Sequence, residues 1–282
     1  RKTTILKGRH KGMALEGPEY ETIYAFGGLC MVDSIEEIAF FHVLCDRLGM
    51  DTITAGNLCA FAIEAVKRGK IDHDIDYGDV EGIEKLLHMI ARRQGIGDVL
   101  AHGIKHAARL WDLEEIAVHA KGLEPAGYDP RVFKGMGLAY GVSDRGACHL
   151  RSTFYKPELA GMSPMDILQG KAELLIDFED RLTIFDTLVL CRFFRDFYTW
   201  EELAVMIQSL TGLKSDKASL QEKAGNIAGE IRKFNIQEGL TRDDDRLSKG
   251  LFRKLSDTGA EITHAEYDLM LAEYYTARGW VL

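Results

Sequence analysis

The sequence predicts an all-α, multihelical protein built of two helical domains, on three observations. Residues that cap helices recur ahead of apolar runs, and glycines recur where those runs end. Apolar residues in several segments fall at i, i+3, i+4 and i+7, which is the period of one helix face. A single segment, Ile116 to Lys121, has the composition of a strand. The glycine-rich stretch from Tyr128 to Gly146 favours a boundary there, which gives domains of residues 1–140 and 141–282.

Helix caps define the predicted elements of the first half. Asp33 and Ser34 precede a helix that runs to Leu48 and stops at Gly49. Similar start and stop signals predict three further helices. The first covers residues 52–68 and stops at Gly69. The other two follow the capping residues Asp79 and Asp98 and cover residues 80–93 and 99–111.

In the second half, residues 165–194 are predicted to form one long or kinked helix. Thr199 caps the next helix, which stops at Gly212. Two more helices are predicted around residues 227–234 and 267–275. The charged run from Thr241 to Arg246 is predicted to be a solvated connector.

Composition narrows the function classes. Apolar residues make up 46% of the 282 residues and charged residues 28%, which is typical of a globular chain. The formal net charge of −9 argues against non-specific binding of nucleic acid, which needs a basic surface. No apolar run reaches the roughly 20 residues of a membrane span, and no signal peptide is recognised. Five cysteines without a CxxC pair predict a reducing, cytoplasmic setting without structural disulfides.

Two short stretches in the first half contain more carboxylates than packing requires. Residues 16–22 place three carboxylates around a Gly-Pro turn, which is typical of a polar loop before a helix, or of a loop that aims one carboxylate into a pocket as a proton acceptor. In residues 46–52, Asp46 and Asp51 flank a helix stop. A C-cap followed by an N-cap explains this junction fully, and the same junction presents carboxylates to a polar ligand.

Two stretches in the second half have a similar ambiguity. His149 lies between Arg145 and Arg151, after a glycine-rich approach. This pattern fits an oxyanion site whose cations suit phosphate groups, although a single histidine is more often structural. Cys191 lies five residues after Asp186, a spacing that repeats that of Asp46 and Asp51. A cysteine within an apolar helix is more often an inert core residue than a metal ligand.

Taken together, these stretches resemble the tungsten-containing aldehyde ferredoxin oxidoreductase family. The resemblance covers nearly the whole chain, and the shared order and spacing of its segments make it specific. The segments that carry it are EGPEYE at 16–21, LCDRLGMDTIT at 44–54, KGLEPAGYDPR at 121–131, GACHLR at 146–151, DTLVLC at 186–191, NIQEG at 235–239 and YYTARGW at 274–280.

The resemblance implies a set of site residues. In the family, two Asp-x-x-Gly-Leu-(Cys or Asp) motifs hold a tungsten, or molybdenum, bis-pyranopterin cofactor. Residues 46–51 look like the first motif, with Met50 in place of leucine, and residues 186–191 look like the second, with Val189 in place of glycine. The residues implied to contact the cofactor are therefore Asp46, Met50, Asp51, Asp186 and Leu190, together with Arg145 and Arg151.

The resemblance also assigns chemistry. Glu21 and His149 match the carboxylate and the imidazole that the family places beside the metal, and Cys191 matches the fourth thiolate of a [4Fe–4S] cluster. The implied reaction is oxidation of an aldehyde to a carboxylic acid, with ferredoxin as the electron acceptor and a homodimer as one allowed assembly. The family's CxxCxxxC motif and β-rich N-terminal domain have no counterpart in these residues. We therefore expect the isolated chain to hold no cofactor and to be inactive.

A non-catalytic helical scaffold or interaction module derived from the same family is the alternative. The missing cysteines and Val189 favour it. Glu21 and His149 favour the enzyme, because each is present with family-like neighbours although core packing requires neither.

Overall fold

The structure, a computed structural model, describes residues 2–280 and confirms the predicted all-α class. Within these residues the chain packs into two compact units. The first unit extends to Gly127 and also includes Ser248–Leu251, and the second contains Tyr128–Leu247 and the chain from Phe252 onward. The compact units therefore divide after Gly127, and the family-domain boundary after residue 140 stays a prediction.

The first unit begins with a two-stranded antiparallel hairpin, which the sequence analysis did not predict. Its strands are β1 (Lys2–Thr4) and β2 (Ala14–Glu16), paired with Thr3 opposite Leu15. A short helix and a π-helical segment follow, and then five further helices. The helices of this unit are α1 (Tyr20–Thr22), the π-helix Ile23–Leu29, α2 (Ile35–Leu48), α3 (Thr52–Lys67), α4 (Val80–Arg92), α5 (Ile96–Leu100) and α6 (Ile104–Leu110).

The second unit consists of helices and loops, with no β-strand among its described residues. Its helices are α7 (Lys134–Val142), α8 (Tyr155–Leu159), α9 (Lys171–Thr187), α10 (Trp200–Thr211), α11 (Lys217–Gln237) and α12 (His264–Arg278). Two short 3₁₀ turns, Arg192–Phe194 and Arg242–Asp245, belong to it, and a third, Lys249–Phe252, lies where the chain passes between the units. Among residues 2–280, no helix combines the length and the apolar character needed to cross a membrane.

Each unit has an apolar core of its own. In the first, aromatic and aliphatic side chains of α2, α3 and α4 pack together, including Phe41, Phe61, Ile63, Ile83 and Leu87. In the second, α9, α10 and α11 bury a smaller cluster formed by Leu182, Phe185, Trp200, Leu203 and Leu220. Complete burial of such side chains is worth about 1.5–3 kcal/mol each.

The caps predicted for the first helices are confirmed. Ser34, Asp51 and Asp79 each accept a backbone N–H from the first turn of the helix that follows. Gly49 ends α2 in the left-handed conformation. Thr199 and Gly212 bound α10 as predicted, and Thr199 forms a capping box with Glu202.

Two predicted helices have different bounds. The helix expected over 99–111 is split, because Gly103 adopts φ 87° between α5 and α6. Asp98 lies inside α5, where it pairs with Arg93 at 2.8 Å and caps no helix. The helix expected over 165–194 is limited to Lys171–Thr187, because Gly170 and Val189, both at positive φ, lie just outside its two ends.

The predicted strand from Ile116 to Lys121 is wrong. Its backbone groups bond to Ser248 and form no ladder. The Ser248 hydroxyl donates to the Ala117 carbonyl at 2.7 Å and accepts the His119 N–H at 2.9 Å. Lys121 and Gly122 then turn the chain with positive φ, which closes the isolated bridge between Ala120 and Leu123.

The run from Thr241 to Arg246, predicted to be a solvated connector, is also wrong in one respect. Asp245 is fully buried and forms an ion pair with Arg232 at 2.8 Å, and it accepts a hydrogen bond from the Tyr275 hydroxyl. A buried carboxylate requires such partners, and these lie on α11 and α12.

Candidate functional site

The first candidate motif, residues 46–51, forms the turn between α2 and α3. Gly49 adopts the left-handed conformation with φ 70°, and its N–H donates to the Asp46 carbonyl at 3.2 Å. The Met50 N–H donates to the Cys45 carbonyl at 2.9 Å. These two bonds define a Schellman helix end. Asp51 follows in extended conformation and caps α3 by accepting the Thr54 N–H at 2.9 Å.

The second candidate motif, residues 186–191, forms the same turn at the end of α9. The Val189 N–H donates to the Asp186 carbonyl at 3.1 Å, and the Leu190 N–H donates to the Phe185 carbonyl at 2.9 Å. Cys191 takes φ −67° and ψ 128°, which nearly equal the φ −69° and ψ 133° of Asp51. The two motifs, which have similar sequence spacing, therefore have the same backbone conformation.

Val189 keeps this turn although it is β-branched. Its φ of 55° lies in the left-handed region, where a Cβ costs roughly 1–2 kcal/mol. Its side chain is 90% exposed. The valine thus introduces conformational strain and leaves the course of the chain unchanged.

Glu21 is placed by α1, beside the fully buried Thr22. The Thr22 hydroxyl lies 2.9 Å from the Thr52 hydroxyl and 3.3 Å from Nδ1 of His42. Nε2 of His42 lies 3.5 Å from a carboxylate oxygen of Asp46. A line of polar groups therefore connects the helix of Glu21 with both sides of the first motif turn.

Glu124 is a buried carboxylate close to this turn that the sequence analysis did not single out. It is 3% exposed and accepts the Thr54 hydroxyl at 2.9 Å. Burial raises the pKa of Glu124 to about 7, with a further increase from the charge of Asp51. An acidic residue between apolar Leu123 and Pro125–Ala126 was the available signal, but its partners lie far away in sequence.

A network of arginines and carboxylates surrounds the second motif. Arg151 bonds to Asp144 at 2.9 Å and to Asp186 at 2.9 Å, and Arg192 also bonds to Asp186, at 2.6 Å. Burial lowers the pKa of Arg151, but the two carboxylates outweigh it and the net shift is upward. Arg145 is exposed and donates to the Cys148 sulfur at 3.2 Å. Asp144 and Arg192 are members that the sequence analysis did not name as site residues.

His149 lies in the same loop of the second unit as Arg145 and Arg151. Its ring centroid lies 6.0 Å from that of Tyr128, which stacks on Tyr155 at 3.9 Å. The loop also contains Thr153 at φ 50°, a strained conformation for a β-branched residue. Aromatic packing thus limits the positions open to the His149 ring.

Each motif borders a cavity within its own unit. In the first, Met50, Asp51 and Thr54 line a cavity of about 360 Å³. In the second, Asp144, Arg151 and Asp186 line one of about 290 Å³, together with apolar side chains of α11 and further polar groups such as Glu179 and Arg278. Pockets that combine apolar walls with a few convergent polar groups are typical ligand sites.

The predicted site residues therefore form two groups. Asp46, Met50 and Asp51 share one turn, and polar contacts link it to the helix that carries Glu21. The second unit holds Arg145, His149, Arg151, Asp186, Leu190 and Cys191, of which Arg151 and Asp186 are in direct contact.

The described residues contain no assembled metal site. Across residues 2–280, no group of three or more histidine, cysteine, aspartate or glutamate side chains is arranged to hold a metal ion. Cys191 is an exposed thiol, whereas the other four cysteines are buried. The described residues therefore contain one exposed thiol and no preformed site for a metal cluster. Each turn presents carboxylates, which accept hydrogen bonds, and the second also lies beside arginines, which bind anions.

Comparison with known proteins identifies the family to which the chain belongs. Residues 1–281 match the model of the family described as aldehyde ferredoxin oxidoreductase, domains 2 and 3. The chain is 31% identical over 278 residues to a tungsten-containing aldehyde ferredoxin oxidoreductase of Pyrococcus furiosus, and equally to one of Thermococcus kodakarensis. Each match covers 94% of this chain and 46% of the relative, so the chain spans about half the length of these relatives.

A solved structure shares the fold. The active site complex BamBC of benzoyl coenzyme A reductase, in complex with 1,5-dienoyl-CoA, superimposes with a TM-score of 0.73 at 17% identity. The match covers 99% of this chain and 48% of that one.

Proposed function

The chain belongs to the aldehyde ferredoxin oxidoreductase family, and from that premise we propose that it is part of an enzyme that oxidises aldehydes to carboxylic acids with ferredoxin as electron acceptor. The single observation that carries the proposal is the duplicated turn. Asp46–Asp51 and Asp186–Cys191 share hydrogen bonds and dihedral angles, and both border cavities. The same pair of hydrogen bonds also ends α3, α4, α6, α11 and α12. Among the helix ends within residues 2–280, the two motif turns differ in having an aspartate three residues before the left-handed position and an extended Asp or Cys two residues after it.

The proposed cofactor is a tungsten, or molybdenum, bis-pyranopterin. Asp46, Met50 and Asp51 would hold one pterin, and Asp186 and Leu190 the other. Arg145 and Arg151 carry the positive charge that the phosphate groups of such a cofactor require. When bound, the metal centre supplies two-electron oxidation chemistry. Cys191 would give one thiolate to a [4Fe–4S] cluster whose other ligands come from outside these residues.

The chain's own residues supply acid–base chemistry in this proposal. The Glu21 carboxylate accepts a proton from the water that attacks the aldehyde carbon, because a positioned carboxylate makes water a better nucleophile. The His149 imidazole donates a hydrogen bond to the carbonyl oxygen as negative charge develops there. Arg151 and Arg192 hold the Asp186 carboxylate in a fixed orientation.

The test uses the protein that carries this chain, isolated anaerobically from its native source grown with tungstate. Tungsten and iron are measured by elemental analysis, and aldehyde-dependent reduction of ferredoxin is assayed. Glu21→Gln and His149→Asn are each expected to lower kcat by about 100-fold or more at unchanged metal content. The matched control Glu81→Gln changes an exposed carboxylate on α4 and leaves kcat unchanged. Metal-loaded protein that does not oxidise aldehydes, or a fully active Glu21→Gln variant, overturns the proposal.

The proposal also predicts the metal content of the 282-residue chain when it is produced alone. The chain supplies one of the four thiolates that a [4Fe–4S] cluster needs, so we expect it to bind no stoichiometric iron. Elemental analysis and the visible absorption of the purified chain measure this directly. Stoichiometric iron or tungsten in the isolated chain would contradict the assignment of the remaining ligands to other residues.

A further inference from the structure

We propose that Glu124 is a positioning residue for the Asp46–Asp51 turn, which supports Asp51 through the hydroxyl of Thr54 and changes that support when it takes up a proton. The importance of this turn rests on the proposed function, but the contacts themselves do not. Glu124 is part of neither motif and touches neither Met50 nor Asp51 through a described hydrogen bond.

Thr54 links Asp51 to Glu124 through two hydrogen bonds. The Thr54 N–H donates to Oδ2 of Asp51 at 2.9 Å, and the Thr54 hydroxyl donates to Oε2 of Glu124 at 2.9 Å. Thr54 therefore bonds to Asp51 through its backbone and to Glu124 through its side chain. Any shift of Glu124 acts on the same residue that holds the Asp51 carboxylate.

The other carboxylate oxygen of Glu124 faces the start of α6. Oε1 lies 3.4 Å from the N–H of Ile104, the first residue of that helix. Gly103, which precedes it, and Thr54 both line the cavity that Met50 and Asp51 border. A cavity of about 360 Å³ has room for several water molecules, so protons have access to this end of the site.

The charges around Glu124 make its protonation state variable. Burial raises its pKa to about 7, while its own backbone N–H, Thr54 and Ile104 act in the opposite direction. On the side of α3 the group meets the Thr54 hydroxyl and the charge of Asp51, and on the side of α6 it meets the Ile104 N–H. Near neutral pH the carboxyl therefore changes charge while it stays buried.

Protonation has a defined consequence for Asp51. A deprotonated Glu124 accepts the Thr54 hydroxyl and repels the Asp51 carboxylate. A protonated Glu124 removes this repulsion, and one of its oxygens becomes a donor, so the Thr54 hydroxyl has to share or reverse its bond. The Asp51 carboxylate, bonded to the Thr54 backbone, experiences both changes.

The test is a pH titration of the 282-residue chain by NMR, without any cofactor. The ¹³C signal of the Glu124 carboxyl is expected to titrate with a midpoint near 7, and the Thr54 amide and the Asp51 carboxyl are expected to show an inflection at the same pH. In Glu124→Gln this inflection disappears. In Thr54→Val the Glu124 titration remains, and the Asp51 response falls to the part that direct repulsion between the two carboxylates transmits. An Asp51 response that is unchanged in Thr54→Val overturns the role of the Thr54 hydroxyl.

Glu114→Gln, which removes an exposed carboxylate of the same unit, serves as the matched control and keeps the inflection. Thr54 and Asp51 signals that stay flat between pH 5 and 9 in the unmodified chain overturn the proposal, and so does an inflection that persists in Glu124→Gln. Because the unmodified chain is measured first, the result does not depend on a variant folding. A failed metal or activity assay would remove the proposed function and leave this titration as it stands.

Discussion

Gly49 and Val189 occupy the same position in two equivalent turns, with φ 70° and 55° respectively. Each is preceded by a helix end and followed by an apolar residue and an extended Asp or Cys. Glycine adopts this conformation without cost, whereas valine is strained in it. The same turn forms at the non-glycine residues Arg93 and Asp112, so Val189 leaves the backbone of the motif intact.

Replacement of Val189 by glycine is expected to stabilise the chain by about 1 kcal/mol. Relief of left-handed strain contributes roughly 1–2 kcal/mol, and the greater freedom of glycine in the unfolded chain removes part of that gain. The free energy of unfolding from urea titrations measures the change. The reverse substitution, Gly49→Val, serves as the matched control and is expected to cost about 1–2 kcal/mol, because a Cβ at Gly49 meets no neighbouring atom within 4 Å. A destabilised Val189→Gly variant would contradict the strain.

The turns and first helices could be predicted because their determinants are local. Ser34, Asp51 and Asp79 cap helices that begin at the next residue, and Gly49 ends one. Such signals lie within a few residues of the structure that they specify.

Other features depend on residues far away in sequence. The sequence after Ile116 predicts a strand, but in the structure its backbone groups bond to Ser248. The sequence around Asp245 predicts a solvated loop, but in the structure this carboxylate is paired with Arg232. Glu124 likewise acquires its role from Thr54, 70 residues earlier. A single sequence gives no sign of these long-range pairings, so the residues that support the candidate site, such as Glu124, could not be predicted.

Glu124→Gln is expected to change how stability depends on pH. The folded-state pKa of about 7 lies above the usual unfolded value of about 4.5. The folded chain therefore binds a proton more tightly than the unfolded chain, and this stabilisation is complete below pH 4.5 and is lost as the pH rises through 7. Glutamine keeps the neutral form at every pH.

The difference in unfolding free energy between Glu124→Gln and the unmodified chain should therefore move by about 3 kcal/mol in favour of the variant between pH 4.5 and pH 8. Urea titrations of both proteins at four or five pH values measure it, and other titrating groups cancel in the comparison. A difference that is constant with pH would show that Glu124 has the same pKa in both states.

Cys191→Ser is expected to leave stability within about 0.5 kcal/mol of the unmodified chain, because the side chain is exposed and its proposed ligand role needs groups outside these residues. Thermal unfolding by circular dichroism is a sufficient measurement. Cys59→Ser is the matched control. It places a hydroxyl in the apolar core of the first unit, where the residue is fully buried, and is expected to cost about 1–3 kcal/mol. A large loss for Cys191→Ser would mean that the thiol stabilises the fold itself.

Lys171 and Glu158 form an ion pair whose side chains are both fully buried, and Lys171→Met is expected to cost about 3–5 kcal/mol. The ammonium donates to Glu158 at 2.7 Å and also to Ser163 and the Pro164 carbonyl. Glu158 in turn accepts the Gly135 and Met136 N–H groups at the start of α7, so it cannot leave the core when its partner is lost.

Removal of the lysine therefore leaves a buried carboxylate without its counter-ion, and burial already raises the pKa of Glu158. We expect the Lys171→Met variant to recover part of its stability on acidification, since a neutral Glu158 no longer needs the cation. Adding Glu158→Gln to Lys171→Met should recover a similar part at neutral pH, because the amide oxygen still accepts a backbone N–H. Lys156→Met, at a partly exposed pair with Asp196, is the matched control and should change stability by less than about 1 kcal/mol. Equal losses for Lys171→Met and Lys156→Met would indicate that burial of the pair contributes nothing to the energetics of the second unit.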